Sequence, residues 1–430
     1  MNYIFSAEDL AIGLIWFIII LVFGFVIANA LEKDQSKKWF IKNLLYKMFF
    51  GVFFGFTFVK ILGYGGDTVA YWDGANKLKN LLFHSPLDYL QEMFRSPTKG
   101  DVGDYFNAQT GYPPSWIYGE SESFFVSKIA SVFSVITFGS FTAMTLIFSF
   151  FASLSSFRLY QVVKSYNVAS DFVTAMVTMF IPTVAFWCAG ISKDTVILAC
   201  LFFVLYHLFA FVDKNRKLKF YNVISLLFFA YLIFHIRPFM VYAILPPLGL
   251  AFLLGYINKV QNEIFVVLLK LGFVLFTSGL MLLIFVNVEV IENLDTFQEV
   301  AVVQQDFQVN NTYGGPRYDL GVSDYSFFGM VKAAPLAIFT AFFRPLIFEA
   351  QGPLLLVSGL ESMILLVLAL KFMFTGGGFF VQISRVSNNE LLLFSIVFIL
   401  LFGFFVGFSS SMFNVLARFK TPILPFLFLV

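Results

Sequence analysis

Apolar residues in this chain come in long unbroken runs rather than in alternation. Runs of that kind, closed by short polar clusters, predict buried or membrane-crossing helices and not half-buried strands. The first run, Leu10 to Ala30, reaches the roughly 20 residues that a helix needs to cross a bilayer. The segment before it, "MNYIFSAEDL", has acids and no Lys or Arg. A cleaved leader carries a basic start and a shorter core, so the run is expected to be a retained span. Further runs fall near 45–62, 140–157, 171–188, 195–212, 220–235, 239–257, 263–287, 353–371 and 390–408, and a last one begins near 412. Together they predict about eleven spans. Segments 124–138 and 328–343 are apolar but are interrupted by Lys128 and by Lys332 with Pro335, which suits helices lying along the interface.

Charge placement orients these spans. The basic stretches "EKDQSKKWFIKNLLYK" (32–47), "RLYQVVKSYN" (158–167), "DKNRKLK" (213–219), "NKVQNE" (258–263) and the 371–389 loop all fall on one side if the spans alternate. That side is expected to be the cytoplasm. Segments 63–123 and 288–352 then form two large outer loops, the second holding an interfacial helix. Its first part, 288–327, is acidic, with Glu289, Glu292, Asp295, Glu299, Asp306, Asp319 and Asp324 against Arg317.

Composition agrees. The chain is 59% hydrophobic, 20% aromatic and only 13% charged, against roughly 25% charged in soluble domains. The expectation is one all-α, polytopic membrane domain over 1–430. A net charge of +2 over 430 residues gives no basic stripe for nucleic acid. Cys188 and Cys200 lie in apolar stretches, and His84, His207 and His235 share no metal-ligand spacing. No cofactor is visible; a cation on Asp67 would lack a cage of further carboxylates.

Ionisable residues gather at span ends predicted to face outward. "GGDTVAYWDGAN" (65–76) brings Asp67, Tyr71 and Asp73. "GISKDTV" (190–196) brings Lys193 and Asp194, and "HIRPFM" (235–240) brings His235 and Arg237. "FRPLIFEAQGP" (343–353) holds Arg344 and Glu349, with Glu361 inside the span that follows and available to an arginine. "SSSMFNVLARFKTP" (409–422) holds Arg418 and Lys420. Charges at membrane depth are costly and mark functional sites by default. Arginine forks match phosphate oxygens, so an outward cationic cluster suits an anionic ligand. At an outer leaflet that points to polyprenyl-phosphate-linked sugars. Asp67 would serve as base, with Asp73 a second candidate catalytic carboxylate, and Arg237, Arg344, Arg418 and Lys193 as phosphate clamp. Asp67, Lys193, Arg237 and Arg344 are expected to converge on one cavity. Plainer roles fit the same residues one by one: a cap for Asp67, a solvated or supporting side chain for Asp73, a local ion pair for Lys193 and Asp194, snorkelling for the Arg-Pro pairs. Lipid-linked-glycan transport and a non-catalytic envelope scaffold are the competing functions; the absence of an evident repeat weighs against transport.

"GDTVAYWDGA" (66–75) resembles the acidic motif in the first outer loop of multi-span GT-C-type glycosyltransferases, through Asp67, Tyr71 and Ala75. "ARFKTPILPFL" (417–427) is similar to the basic start of a late span in such enzymes. The resemblance implies a polyprenyl-phosphate sugar donor, a catalytic Asp67 and a site in the bacterial cytoplasmic membrane with its active face outside. One departure is plain: the acidic residue follows the second span here, not the first. "GISKDTV" and "FRPLIFEA" look like pieces of bacterial envelope-polysaccharide proteins, including Wzy-type polymerases, which rely on arginines. That resemblance shifts weight to Arg237 and Arg344.

Overall fold

The computed structural model describes residues 3–31, 34–212, 219–257, 314–322, 327–374 and 388–430, parts of 260–279, residues 304 and 306–310, and positions 382 and 386. Among these the fold is all-α, with no strand beyond an isolated bridge between Arg317 and Met412. Five helices are long and apolar enough to cross a membrane: Ala7–Asn29, Asp34–Ile61, Phe141–Tyr166, Pro353–Phe374 and Glu390–Ser409. Shorter apolar helices cover Phe220–Ile236, Pro238–Leu254, Ile264–Phe273 and Val331–Phe343. The rest of the expected 263–287 span, the acids Glu289, Glu292, Asp295, Glu299 and Asp324, Lys259, Arg385, and most of 213–219 lie outside the described residues.

The chain divides into two compact units, Met1–Ser165 with Asp171–Pro238, and Tyr166–Ser170 with Phe239–Val430. In the first, α1 (Ala7–Asn29) and α2 (Asp34–Phe56) form a hairpin. α1 buries only Asp9, Gly13, Ile20, Gly24 and Ala28, a narrow seam of mostly small residues. Such seams let membrane helices approach closely. A Cβ on Gly13 would meet Thr142, and one on Gly24 would meet Leu44. The Asp9 carboxylate is completely buried and saturated. It accepts from Phe5 N (3.0 Å), Ser140 Oγ (2.6 Å), Thr142 N (3.1 Å) and Thr142 Oγ1 (2.7 Å). An acid on one helix thus caps the start of another, α8 (Phe141–Tyr166), satisfying an N–H that the helix cannot satisfy itself.

Between α2 and α8 the expected outer loop is itself helical: α3 (Gly66–His84), α4 (Pro86–Phe94), α5 (Val102–Tyr105), α6 (Ser115–Tyr118) and α7 (Ser121–Ile136). α3 packs on α7, where Gly74 faces Ser127 and Ser134 Oγ donates to Asn76 at 2.7 Å. α9 (Asp171–Met179), α10 (Pro182–Trp187), α11 (Lys193–Val212) and α12 (Phe220–Ile236) complete the unit.

Three expectations change. The lysine-rich segment 32–47 is helical from Asp34, and Lys47 is fully buried in it. The basic segment at 158–167 is also helical, to Tyr166. The run at 171–188 is two helices, because Pro182 starts a new helix and cannot continue the old one. Lys128 is 3% exposed, and its ammonium donates to the carbonyls of Glu92 and Arg95 at 2.5 and 2.6 Å. It thereby closes the end of α4 with a positive charge, as the helix dipole favours.

The second unit contains α13 (Pro238–Ile257), α14 (Phe327–Phe343), α15 (Pro353–Phe374), α16 (Glu390–Ser409), α17 (Phe413–Phe419) and α18 (Leu424–Leu429). The expected last span is therefore two short helices broken at 420–423. Leu250 and Leu254 of α13 meet Leu393 and Val397 of α16. Phe394, Phe398 and Phe402 stack along α16 at 5.5 Å spacing, and Phe426 caps the column edge-on.

Candidate functional site

In the first unit the fold brings four charged residues to three helix ends. Asp194 lies in the first turn of α11, and Arg237 is the residue after α12. Arg237 Nη2 donates to Asp194 Oδ1 at 2.7 Å, and both side chains are buried (9% and 1% exposed). Lys193 turns the other way, 3.8 Å from Glu122 in the first turn of α7. Three of the four signs suit their positions, since Glu122 and Asp194 sit at helix starts and Arg237 follows a helix end, whereas Lys193 opens α11 against the dipole. Ser192 sets the start of α11 by accepting from Thr195 N at 3.1 Å. The pairing departs from a local Lys193–Asp194 bridge, since each residue has a partner from another helix. The Glu122 side chain is about half exposed, and the Lys193 and Arg237 charges both act on its carboxylate. Sequence reasoning missed Glu122; the signal was an acid in "GESES" just ahead of an apolar run.

Asp67 belongs to the same unit. Gly65 and Gly66 both take left-handed backbone, φ 74° and 56°, which costs a residue with a Cβ about 1–2 kcal/mol. Together they turn the chain sharply from α2 into α3, and Asp67 is half-buried in the first turn. Gly65 offers no side-chain cap, so the helix dipole favours the nearby Asp67 charge. The Tyr64 phenol lies beside that carboxylate. Tyr71 is buried, 2% exposed. Asp73 pairs with Lys77 one turn along at 3.6 Å, partly in solvent. Such a pair contributes little to stability.

A second group of charges lies around α4. Glu92 is fully buried, with the Tyr118 hydroxyl and the Lys128 and Arg95 charges around its carboxylate. Burial pushes its carboxyl up, against the pull of nearby Lys128. Burial pulls the Lys128 ammonium down to about 8, against the opposing charge of Glu92.

The second unit holds Arg344, Glu349 and Arg418. Arg344 lies against two neighbouring rings, 5.4 Å from that of Tyr318 and 4.9 Å from that of Phe413, the rings themselves 5.3 Å apart. Cation–π contact of this kind orients a guanidinium. Glu349 holds its inner edge, accepting from Nε at 2.9 and 3.2 Å and from Nη2. Burial would raise the Glu349 carboxyl, but its bonds from Arg344 and Leu346 N outweigh that and hold it below the usual carboxylate range. Lys420, fully buried, donates to the Arg344 carbonyl (3.0 Å) and to Ser362 Oγ (2.7 Å). Glu361 sits beside Lys420. Arg418 is half-buried at the end of α17. Tyr318 and Phe413 were invisible as arginine partners in the sequence, because they lie 26 residues before Arg344 and 69 after it.

Among the described residues no group of three or more His, Cys, Asp or Glu is arranged to hold a metal ion. No protein-family model, no curated protein and no solved structure matches this chain.

Proposed function

We propose that this chain is a membrane glycosyltransferase. It moves a sugar from a polyprenyl-(pyro)phosphate donor to a glycan acceptor at the outer leaflet of a bacterial cytoplasmic membrane. The observation that carries the proposal is the cluster of Glu122, Lys193, Asp194 and Arg237 at three helix ends of one unit. A buried, oriented Arg–Asp pair sets a fixed local field, and Lys193 at its margin supplies charge for a phosphate. Asp67, on a turn built from two left-handed glycines in the same unit, is the base. In the transfer the acceptor oxygen bonds the sugar's anomeric carbon while its proton passes to the Asp67 carboxylate. The anomeric carbon–phosphate oxygen bond breaks, and its electron pair leaves on the phosphate.

A polymerase that relies on arginines is the second reading, favoured by the aromatic-faced Arg344 of the other unit. Mass spectrometry of lipid-linked and surface glycans tests both, in a deletion strain rescued by variants at matched protein level. Asp67→Asn is expected to accumulate unused donor or a truncated glycan. Full rescue by Asp67→Asn with loss of polymer in Arg344→Lys, which keeps charge but not the planar fork, would move the assignment to the polymerase. Full rescue by both, and by Lys193→Gln, would end the transferase reading in favour of transport or scaffolding.

A further inference from the structure

The α1–α2 hairpin carries a groove of about 760 Å³ that none of the roles above uses. Its α2 wall is a continuous apolar stripe from Leu45 through Phe49, Val52 and Phe56, and Lys60 closes it from the π-helical turn Thr57–Ile61 that continues α2. At 1.5 Å per residue, Leu45 to Lys60 covers about 22 Å, most of the ~30 Å hydrocarbon core of a bilayer. Phe49 and Phe53 stack on this wall at 6.0 Å. The opposite wall comes from α1 and the turn before it.

Two features mark the Lys60 end as built for a ligand. Lys60 is the only charged residue of the lining, is exposed, and has no hydrogen bond or ion pair among the described residues. An ammonium on its own at the end of a long apolar groove complements an amphiphile with an anionic head. Phe5, which lines the same groove, holds left-handed backbone (φ 60°). For a phenylalanine this is strained, and strain persists where the surroundings impose it, often at ligand sites. Asp9 imposes it here by accepting from Phe5 N, and the ring then packs on Phe56 and Phe141. Lys60 also lies seven residues ahead of Asp67.

We infer that this groove binds the isoprenoid chain of a polyprenyl phosphate, with the phosphate on Lys60. The inference rests on the transferase reading for its choice of lipid. The chain passes over the packed Phe5 and Phe56 rings and runs along α2 toward Leu45. Lys60 anchors the phosphate at the mouth, which delivers the head group to the α2–α3 turn that carries Asp67. A bulk phospholipid shares the anionic head but has two chains, against one continuous stripe.

The test uses the full chain in phosphatidylcholine nanodiscs, with native mass spectrometry to count retained lipid. Polyprenyl phosphate, the uncharged polyprenol and phosphatidylglycerol are the three probes. Polyprenyl phosphate should bind saturably and be retained over phosphatidylglycerol at equal mole fraction. Lys60→Gln, at an exposed position with no structural partner, should weaken its binding about tenfold and leave polyprenol unaffected; Lys60→Arg should restore it. Val52→Trp, which fills the groove, should exclude both isoprenoids. Wild-type binding in Lys60→Gln and Val52→Trp, or full displacement by phosphatidylglycerol, would overturn the inference. Asp67→Asn separates it from the transferase reading. That variant should bind polyprenyl phosphate normally and transfer nothing; if it transfers normally while Lys60→Gln still loses lipid, the groove stands and the base assignment falls.

Discussion

At the scale of single residues, the costs of burying charge decide what can be tested. The Asp194–Arg237 pair has almost no solvent exposure, so removing one partner strands the other. Asp194→Asn or Arg237→Met alone is expected to cost about 3–5 kcal/mol, and the double variant clearly less than the sum. Thermal unfolding of the purified variants in detergent measures this. Glu92 and Lys128 give a pH signature. The raised carboxyl of Glu92 contributes stability that is complete below its ordinary value near 4.5 and is lost as pH rises through the higher folded value. The depressed ammonium of Lys128 works oppositely: its contribution is complete above 10.5 and is lost as pH falls through about 8. Glu92→Gln should therefore flatten the loss of stability above pH ~4.5. A melting-temperature series against pH in wild type and variant checks it; parallel curves would refute the assignment.

At the scale of elements, close approach matters more than hydrophobicity. α16 crosses α14 where a Cβ on Gly407 would lie 1.9 Å from the Ala337 carbonyl oxygen, an immovable backbone atom. Gly403, one turn earlier, faces only the Phe342 ring at 2.6 Å. Gly407→Ala should cost about 1–3 kcal/mol or more and Gly403→Ala visibly less, since a ring can rotate away. The Gly407 carbonyl also accepts from the Tyr318 hydroxyl at 2.9 Å, so the same substitution should disturb the aromatic face beneath Arg344. The long apolar runs were legible as helices because their length alone demands it. The breaks were less so: Pro182 lies inside a run with apolar residues on both sides, and apolar residues resume directly after Lys420, Thr421 and Pro422. Helix starts were missed on the polar side, at Asp34, because lysines there lie on a helix whose other face buries Trp39 and Phe40. Of the candidate site, the chemistry-bearing residues were legible as exceptions in apolar surroundings. Their partners were not, because Glu122, Tyr318 and Phe413 meet them only through tertiary packing.

At the scale of the whole molecule, orientation is the open quantity that charge placement predicts. Cys188 and Cys200 are both buried, so introduced cysteines report without interference from the native thiols. Gln109→Cys should react with a membrane-impermeant maleimide in intact cells, and Lys37→Cys should react only after the membrane is opened. The reverse pattern would place the Asp67 turn in the cytoplasm and remove the outer-leaflet chemistry with it. The turn itself has one more consequence. Gly65 and Gly66 contribute no side chain, yet their left-handed backbone fixes where Asp67 begins its helix. A saturation scan of this region should therefore find the two glycines among the positions least tolerant of replacement, rivalling any charged residue. The information that places the carboxylate is written where there is no side chain to recognise, and a search for reactive groups alone would pass over it.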